Sequence, residues 1–345
     1  MKIVHVIDQL GLGGAERVCV NLVNLLHRNG NKVKLIVLNN AGSLFDLIDD
    51  GVEVIRLDKK AGKFRAYKQF KKFVQNDDII HIHMRANYRF VRKAFLFFGG
   101  KKPLILHDHF GKIEVDTSIK KFYTIFKPNL YIGVSNLLTN WATTKMKMNK
   151  NKVFLMHNFV HKYLHKEDVV IPEEKEGIVL VASLKAVKNH IFAVQLAKRL
   201  NLPLTIYCQE NRSSEYFKNL EKDIKKEYDT NKVRFIYNHN NVQSELYKYN
   251  FAVCTSKSES GPLVLLEFLA QGIPFLTFET GEVTSFVKSK FPDFVIDNFD
   301  LEKWEQRSKT LNQYNSKELS EAFNSYLEDQ NFVEKYLELY QLIIK

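Results

Sequence analysis

Cysteine is scarce. The three in 345 residues, Cys19, Cys208 and Cys254, lie far apart in apolar segments. They make neither a disulfide framework nor a zinc site, and they point to a reducing compartment. Proline and glycine are also few, at 7 and 15, which excludes a collagen-like or low-complexity chain. No apolar run approaches the ~20 residues that span a bilayer. Met1-Lys2 leads straight into a strand pattern, so no signal peptide is expected either. Acidic residues are short in one half only. Residues 1–165 hold 28 Lys and Arg against 12 Asp and Glu, and residues 166–345 hold 23 against 27. The net excess of +12 therefore originates in the first half. Such a half suits an anionic partner: nucleic acid, an anionic membrane leaflet or a phosphorylated substrate. Lys-rich solvated faces explain the same composition without a partner.

At roughly 150 residues per domain, a chain of this length is expected to form two. Short apolar runs at 2–7, 33–38, 52–57, 79–83, 103–106, 130–134 and 153–156 alternate with helical spacing, as at Val18, Leu22, Leu25 and Leu26. The rhythm restarts at 178–182 and continues through 204–208, 233–236, 251–255 and 275–277. Strands alternating with helices predict parallel sheets covered on both faces. The polar, charged stretch 162–177 reads as the linker, and the residues from about Trp304 on are mostly helical by pattern. The expected architecture is α/β: two doubly wound, Rossmann-like domains facing across a ligand-binding cleft.

Two segments carry chemistry. Residues 11–16 read GLGGAE, directly after the first strand and opening a helix. Glycines there let backbone approach a ligand, and a helix N-terminus favours an anion. A dinucleotide fingerprint would need a third glycine where Glu16 stands, and an acidic residue where the second strand ends in Asn39-Asn40. NAD binding is therefore not expected. Residues 256–274 read SKSESGPLVLLEFLAQGIP, which places Glu259 in a loop and Glu267 inside the following helix. Eight positions along a helix separate the carboxylates too widely for a glycosidase pair acting on one bond. They suit two hydroxyl-bearing parts of one extended ligand. The backbone N–H groups near Pro262, Leu263 and Val264 mark the helix start between them, a place for a phosphate. Hydroxyl, phosphate, hydroxyl describes a nucleotide sugar. A solvated Glu259 and a surface Glu267 are the alternative.

The stretch resembles the E-x7-E signature of retaining sugar transferases of the GT-B fold, glycosyltransferase family 4. Further matches follow in family order: GGAER (13–17), DIIHIH (78–83), PLILHDH (103–109), YIGVS (131–135), NFV (158–160) and VASLKAVKNH (181–190). The resemblance spans residues 3 to about 285. It implies an N-terminal acceptor-binding domain over 1–165, a nucleotide-sugar-binding domain over 166–325, and a C-terminal helix over 326–345 packing back on the first domain. It implies that Glu259 contacts donor-sugar hydroxyls, Glu267 the nucleotide ribose and Lys188 the diphosphate. Gly14 would keep its loop close to the donor and acceptor. His109 would sit beside the reacting sugar, making His109 and Glu259 the catalytic candidates, with His107 a weaker one. The family's usual Gly-Arg pair before the lysine is Ala182-Ser183 here. Ser183 thus marks a missing bidentate clamp, for which Lys185 is a partial substitute. Cys208 and Tyr237 stand where the family often has glycine, and NFVH replaces its common N-G-V-D.

The function implied is sugar transfer from a UDP- or GDP-linked donor to a glycan or lipid-linked acceptor, in cell-surface polysaccharide or glycolipid synthesis. No cofactor is expected beyond that co-substrate. His81 and His83 share a strand face, but the sequence shows no third ligand beside them, and no metal is expected. Residues 59–73 and 85–102 interleave aromatics with Lys and Arg, as on surfaces that lie against anionic lipid. The expected location is cytoplasmic, at the inner membrane face. No nucleic-acid motif accompanies the basic residues. Two other readings stand: a nucleotide-sugar epimerase of the same architecture, which needs no acceptor, and a catalytically silent sugar-nucleotide-binding module.

Overall fold

The computed structural model describes residues 1–60, 62–114, 116–163, 172 and 174–344. The chain forms two compact units: Met1–Asn158 with Gln330–Lys345, and Phe159–Asp329. The boundary expected at 165/166, and much of the expected linker, lie outside the described residues.

The first unit is built on seven parallel strands: β1 (Lys2–Ile7), β2 (Lys32–Val37), β3 (Glu53–Arg56), β4 (Ile79–His83), β5 (Leu104–Asp108), β6 (Leu130–Gly133) and β7 (Val153–Leu155). Their order is β3-β2-β1-β4-β5-β6-β7. Side chains alternate across a strand, and here the two faces differ in kind. One face carries Val4, Val6, Ile80, Ile82, Leu104 and Leu106, packed with Tyr67 and Phe70 of helix Lys63–Phe73 and Tyr88 and Val91 of helix Arg85–Phe98. Each such buried side chain is worth about 1.5–3 kcal/mol. In the Arg85–Phe98 segment, whose aromatics interleave with Lys and Arg, one helix face is core. The segment is an amphipathic helix whose Asn87, Tyr88, Phe90, Val91, Ala94 and Phe95 are buried. The other face carries His5, His81, His83 and His107 between isoleucines. The terminal helix Phe332–Ile344 reaches this face through Tyr336 and Tyr340, whose rings lie against His107 and His81.

The second unit holds six parallel strands: β8 (Ile178–Val181), β9 (Leu204–Cys208), β10 (Val233–Tyr237), β11 (Phe251–Cys254), β12 (Phe275–Phe278) and β13 (Val295–Ile296). Their order is β10-β9-β8-β11-β12-β13. Trp304 is fully buried. It packs edge-on against Phe192, with ring centroids 5.1 Å apart, while its indole N–H donates to the Asn298 carbonyl at 2.8 Å. In both sheets the order reverses beside the first strand, between β1 and β4 and between β8 and β11. Loops leaving the carboxyl ends of such neighbours diverge, and ligands bind in the gap.

Candidate functional site

In the second unit the reversal brings the sequence-predicted residues together. The loop after β8 carries Ser183, Lys185 and Lys188, and the loop after β11 carries Glu259. Thr255 Oγ1 donates to the Lys188 carbonyl at 2.9 Å, and the Lys257 N–H donates to the Val187 carbonyl at 2.8 Å. With the loops tied at this spacing, the Lys188 ammonium pairs directly with a Glu259 carboxylate oxygen. Asn189 takes a left-handed backbone (φ 51°), a conformation Asn tolerates better than most, and turns the chain into helix His190–Leu200. Ser183 is half-buried and Lys185 exposed. Pro262 stands at the N-cap of helix Leu263–Ala270 and offers no side-chain cap. Leu263 and Val264 open the helix. Glu267 is buried within it at 6 % exposure, among Leu, Phe and Ala. A buried carboxylate is costly unless a partner or ligand receives it, so the surface alternative for Glu267 does not hold.

Two further residues shape this loop. The Glu259 N–H donates to Thr280 Oγ1 at 3.0 Å. Gly281 has φ +79°, and a Cβ there would lie 2.8 Å from Pro262 Cδ and 3.1 Å from the Glu259 carbonyl oxygen. Only glycine lets the loop after β12 lie this close to the Glu259–Pro262 turn. The local signal was Thr280-Gly281 directly after a strand, but nothing in the sequence says which turn it touches.

In the first unit the predicted residues are Gly14, His107 and His109. Gly14 is the exposed first residue of helix Gly14–Arg28, capped by Gly13, in the loop after β1. His107 is fully buried near the end of β5, and His109 is half-buried just beyond it. Their ring centroids are 4.1 Å apart. They are not alone. The register opposes His5 to His81 and His83 to His107. Three strands thus gather five imidazoles on one sheet face. His5 Nδ1 lies 3.1 Å from His83 Nε2, His83 Nδ1 lies 3.2 Å from His109 Nε2, and His81 Nε2 lies 3.0 Å from His107 Nδ1. Tyr340 Oη is 2.9 Å from His81 Nδ1. Burial pushes His5 and His109 down to about 3. It also holds His81, His83 and His107 well below the usual imidazole range, with the neighbouring rings adding to the effect. The cluster is therefore neutral at physiological pH. The expectation that His81 and His83 have no third ligand beside them is overturned: β1 and β5 supply it. The missing information was the pairing of strands distant in sequence.

Behind this face, Asp108 is buried and accepts from Arg85 Nε and from Tyr131 Oη, both at 2.6 Å. The Arg85 guanidinium lies 3.7 Å over the Trp141 ring. Asp108 points away from the histidines because strand neighbours alternate faces.

Residues 162–329 match the family Glycosyl transferases group 1, and residues 12–162 match Glycosyltransferase Family 4. No curated protein matches the sequence. Among solved structures, the chain is similar to a glycosyltransferase from Rickettsia africae, at 17% identity and TM-score 0.76, covering 100% of this chain and 98% of that one. It is similar to HepE of Anabaena, solved with UDP and glucose, at 14% identity and TM-score 0.75, covering 99% and 98%. Sucrose-phosphate synthase from Thermosynechococcus elongatus gives 14% identity and TM-score 0.76, covering 99% and 98%. At these identities the likeness speaks for fold, and the family matches speak for descent. With both halves matched in order, and two parallel-sheet units of seven and six strands, the chain belongs to the group 1, family 4 glycosyltransferases and has the GT-B fold.

Proposed function

We propose that this glycosyltransferase moves a sugar, with retention at the anomeric carbon, from a UDP- or GDP-linked donor to a glycan or lipid-linked acceptor. The observation that carries the reading is the Lys188–Glu259 pair at the strand-order reversal, with the uncapped helix start at Pro262–Val264 beside it and buried Glu267 inside that helix. Lys188 has three N–H donors, and its pairing with Glu259 leaves donors for a diphosphate. The first-turn amides add positive potential at the same place. Glu267 then receives the ribose hydroxyls and Glu259 those of the sugar. HepE, solved with UDP and glucose, supports a donor of this class. No metal is assigned to the transfer.

In the proposed reaction the sugar–phosphate bond breaks and the acceptor oxygen bonds the anomeric carbon from the same face. The acceptor proton passes to the departing phosphate oxygen. The chain's contribution is positioning and positive charge opposite the leaving diphosphate. His109, held neutral by burial, serves as a hydrogen-bond partner for the sugar rather than as a cation.

The acceptor side rests on a surface of the first unit. Phe64, Leu96 and Phe97 are 61, 57 and 58% exposed. Phe64 and Phe97 meet across two helices with ring centroids 5.0 Å apart. Lys63, Arg65, Lys68 and Lys93 are exposed on the same helices. Exposed aromatics ringed by cations suit an anionic membrane surface, and so an acceptor embedded in the inner leaflet. Among the described residues no helix is long and apolar enough to cross a membrane.

A thermal-shift screen with UDP, GDP, ADP and their sugar conjugates, with and without EDTA, tests the donor side. A ligand at a hundred times its Kd stabilises by about 2.7 kcal/mol. One nucleotide should raise the melting temperature, with or without EDTA. No shift with any of them would favour the silent module. Donor turned over without acceptor would favour the epimerase.

A further inference from the structure

We infer that His83, His107 and His109 form a binding site for a divalent transition-metal ion of the zinc type. One ring nitrogen from each lies within 4.8 Å of those of the other two. His83 Nδ1 and His109 Nε2 are already 3.2 Å apart. Zinc–imidazole bonds of 2.0–2.1 Å give a tetrahedral edge of roughly 3.3 Å. That pair therefore needs almost no movement to hold an ion. His107 Nε2 is buried and, among the described residues, has no hydrogen-bond partner. A buried ring nitrogen without a partner is costly, and a metal–nitrogen bond removes that cost.

The surrounding hydrogen bonds are consistent with one tautomer each for His107 and His83. With His107 Nε2 bare, its Nδ1–H donates to His81 Nε2 at 3.0 Å, and the His81 Nδ1–H donates in turn to Tyr340 Oη at 2.9 Å. With His83 Nδ1 bare, its Nε2–H donates to His5 Nδ1 at 3.1 Å. Every such bond runs outward, as the second ring nitrogen of a metal-bound histidine requires. The one bond an ion would displace, His83 to His109, is the longest of the four. All-imidazole donors select zinc, copper, nickel and cobalt over magnesium and calcium. The related triad of His5, His81 and His83 is fully buried. The site of His83, His107 and His109 is less enclosed, since His109 is only half-buried.

Binding does not rest on the transferase reading; one consequence does. An ion that takes the His109 ring removes it from the sugar, so zinc should slow transfer without being needed for it. The test uses the full chain, stripped with EDTA and dialysed, titrated with Co2+ and followed by visible absorption. One equivalent should give the d–d bands of a tetrahedral-type site. Zn2+ should displace them, and Mg2+ should leave them unchanged. His107→Asn and His83→Asn should abolish the bands, while the control His239→Asn should keep them. Tyr340→Phe, which removes the outermost partner, should weaken binding about tenfold. Circular dichroism reports whether each variant is folded. Glu259→Gln should bind Co2+ normally while losing transfer, which separates failure of the site from failure of the transferase reading. Absence of stoichiometric binding by the folded wild type, or binding unchanged in folded His107→Asn, overturns the inference.

Discussion

The two units solve the same topological problem with opposite chemistry. Each sheet reverses its strand order beside its first strand, and each gathers polar side chains near that reversal. The second unit uses charge. Lys188 and Glu259 sit on loops, about one fifth exposed, and neutralise each other. The first unit uses uncharged rings. His5, His81, His83 and His107 lie on the strands themselves and are fully buried. The lesson concerns depth. A loop past the strand end keeps water close enough for ions to persist, whereas a strand interior holds groups that can shed their charge or, like Asp108, a charge met by a partner.

The largest expected break in this comparison is chemical. Glu259→Ala should lower transfer by about 10²–10³-fold or more, in keeping with the loss of an electrostatic contact made at the reacting centre, with little change in melting temperature. Full activity in that variant would remove Glu259 from the site.

Next in size is the charge buried behind the histidines. Asp108→Asn leaves the Arg85 guanidinium without its carboxylate and should destabilise the first unit by about 3–5 kcal/mol. The two tryptophans fall one to each unit, Trp141 in the first and Trp304 in the second. Trp304→Phe and Trp141→Phe variants therefore report the units separately by fluorescence in denaturant. Equal weakening of both units would blur the contrast.

Acid sharpens it. Imidazoles with lowered folded pKa bind protons mainly in the unfolded state. Their favourable contribution is present above about pH 6.5 and is lost as pH falls toward their folded values. The slope is up to about 1.4 kcal/mol per pH unit for each ring. His5 and His109 sit at about 3 and three more rings are lowered with them, whereas in the second unit His190 is lowered to about 4. In EDTA, the Trp141 signal should report unfolding at a higher pH than the Trp304 signal. Coincident acid transitions would contradict the neutral-cluster account.

The smallest effect tests loop support. Gly281→Ala forces a Cβ against Pro262 and Glu259. It should cost about 1–2 kcal/mol and raise the KM for donor more than it lowers kcat. An unchanged KM would mean that the Glu259 loop does not depend on its neighbour.

Much of this was legible from residue order. β4 and β9 run where the apolar runs placed them, at Ile79–His83 and Leu204–Cys208, because short β-rich segments between turn residues leave little freedom. The helix Arg85–Phe98 was less legible. Its buried stripe is aromatic and interrupted by arginines, a pattern that fits both a core face and a lipid-facing surface. Glu259 and Glu267 stood out by their spacing around a helix start, Glu267 inside an apolar run, whereas Lys188 was reached only through the family resemblance. Thr280 and Gly281 did not stand out, since a turn residue near a strand end is ordinary until its neighbour is known.

What the sequence by itself determined is local: strands and helices in alternation and two sheets follow from periodicity and turn chemistry, which act over a few residues, and the reading as sugar transfer follows from the resemblance of short motifs to one family. Only the tertiary structure decided that Lys188 meets Glu259 across 71 positions and that His5 joins His83 across 78. Both contacts depend on which strands lie side by side and in what register, which is set by the packing of whole sheets and not by any segment alone.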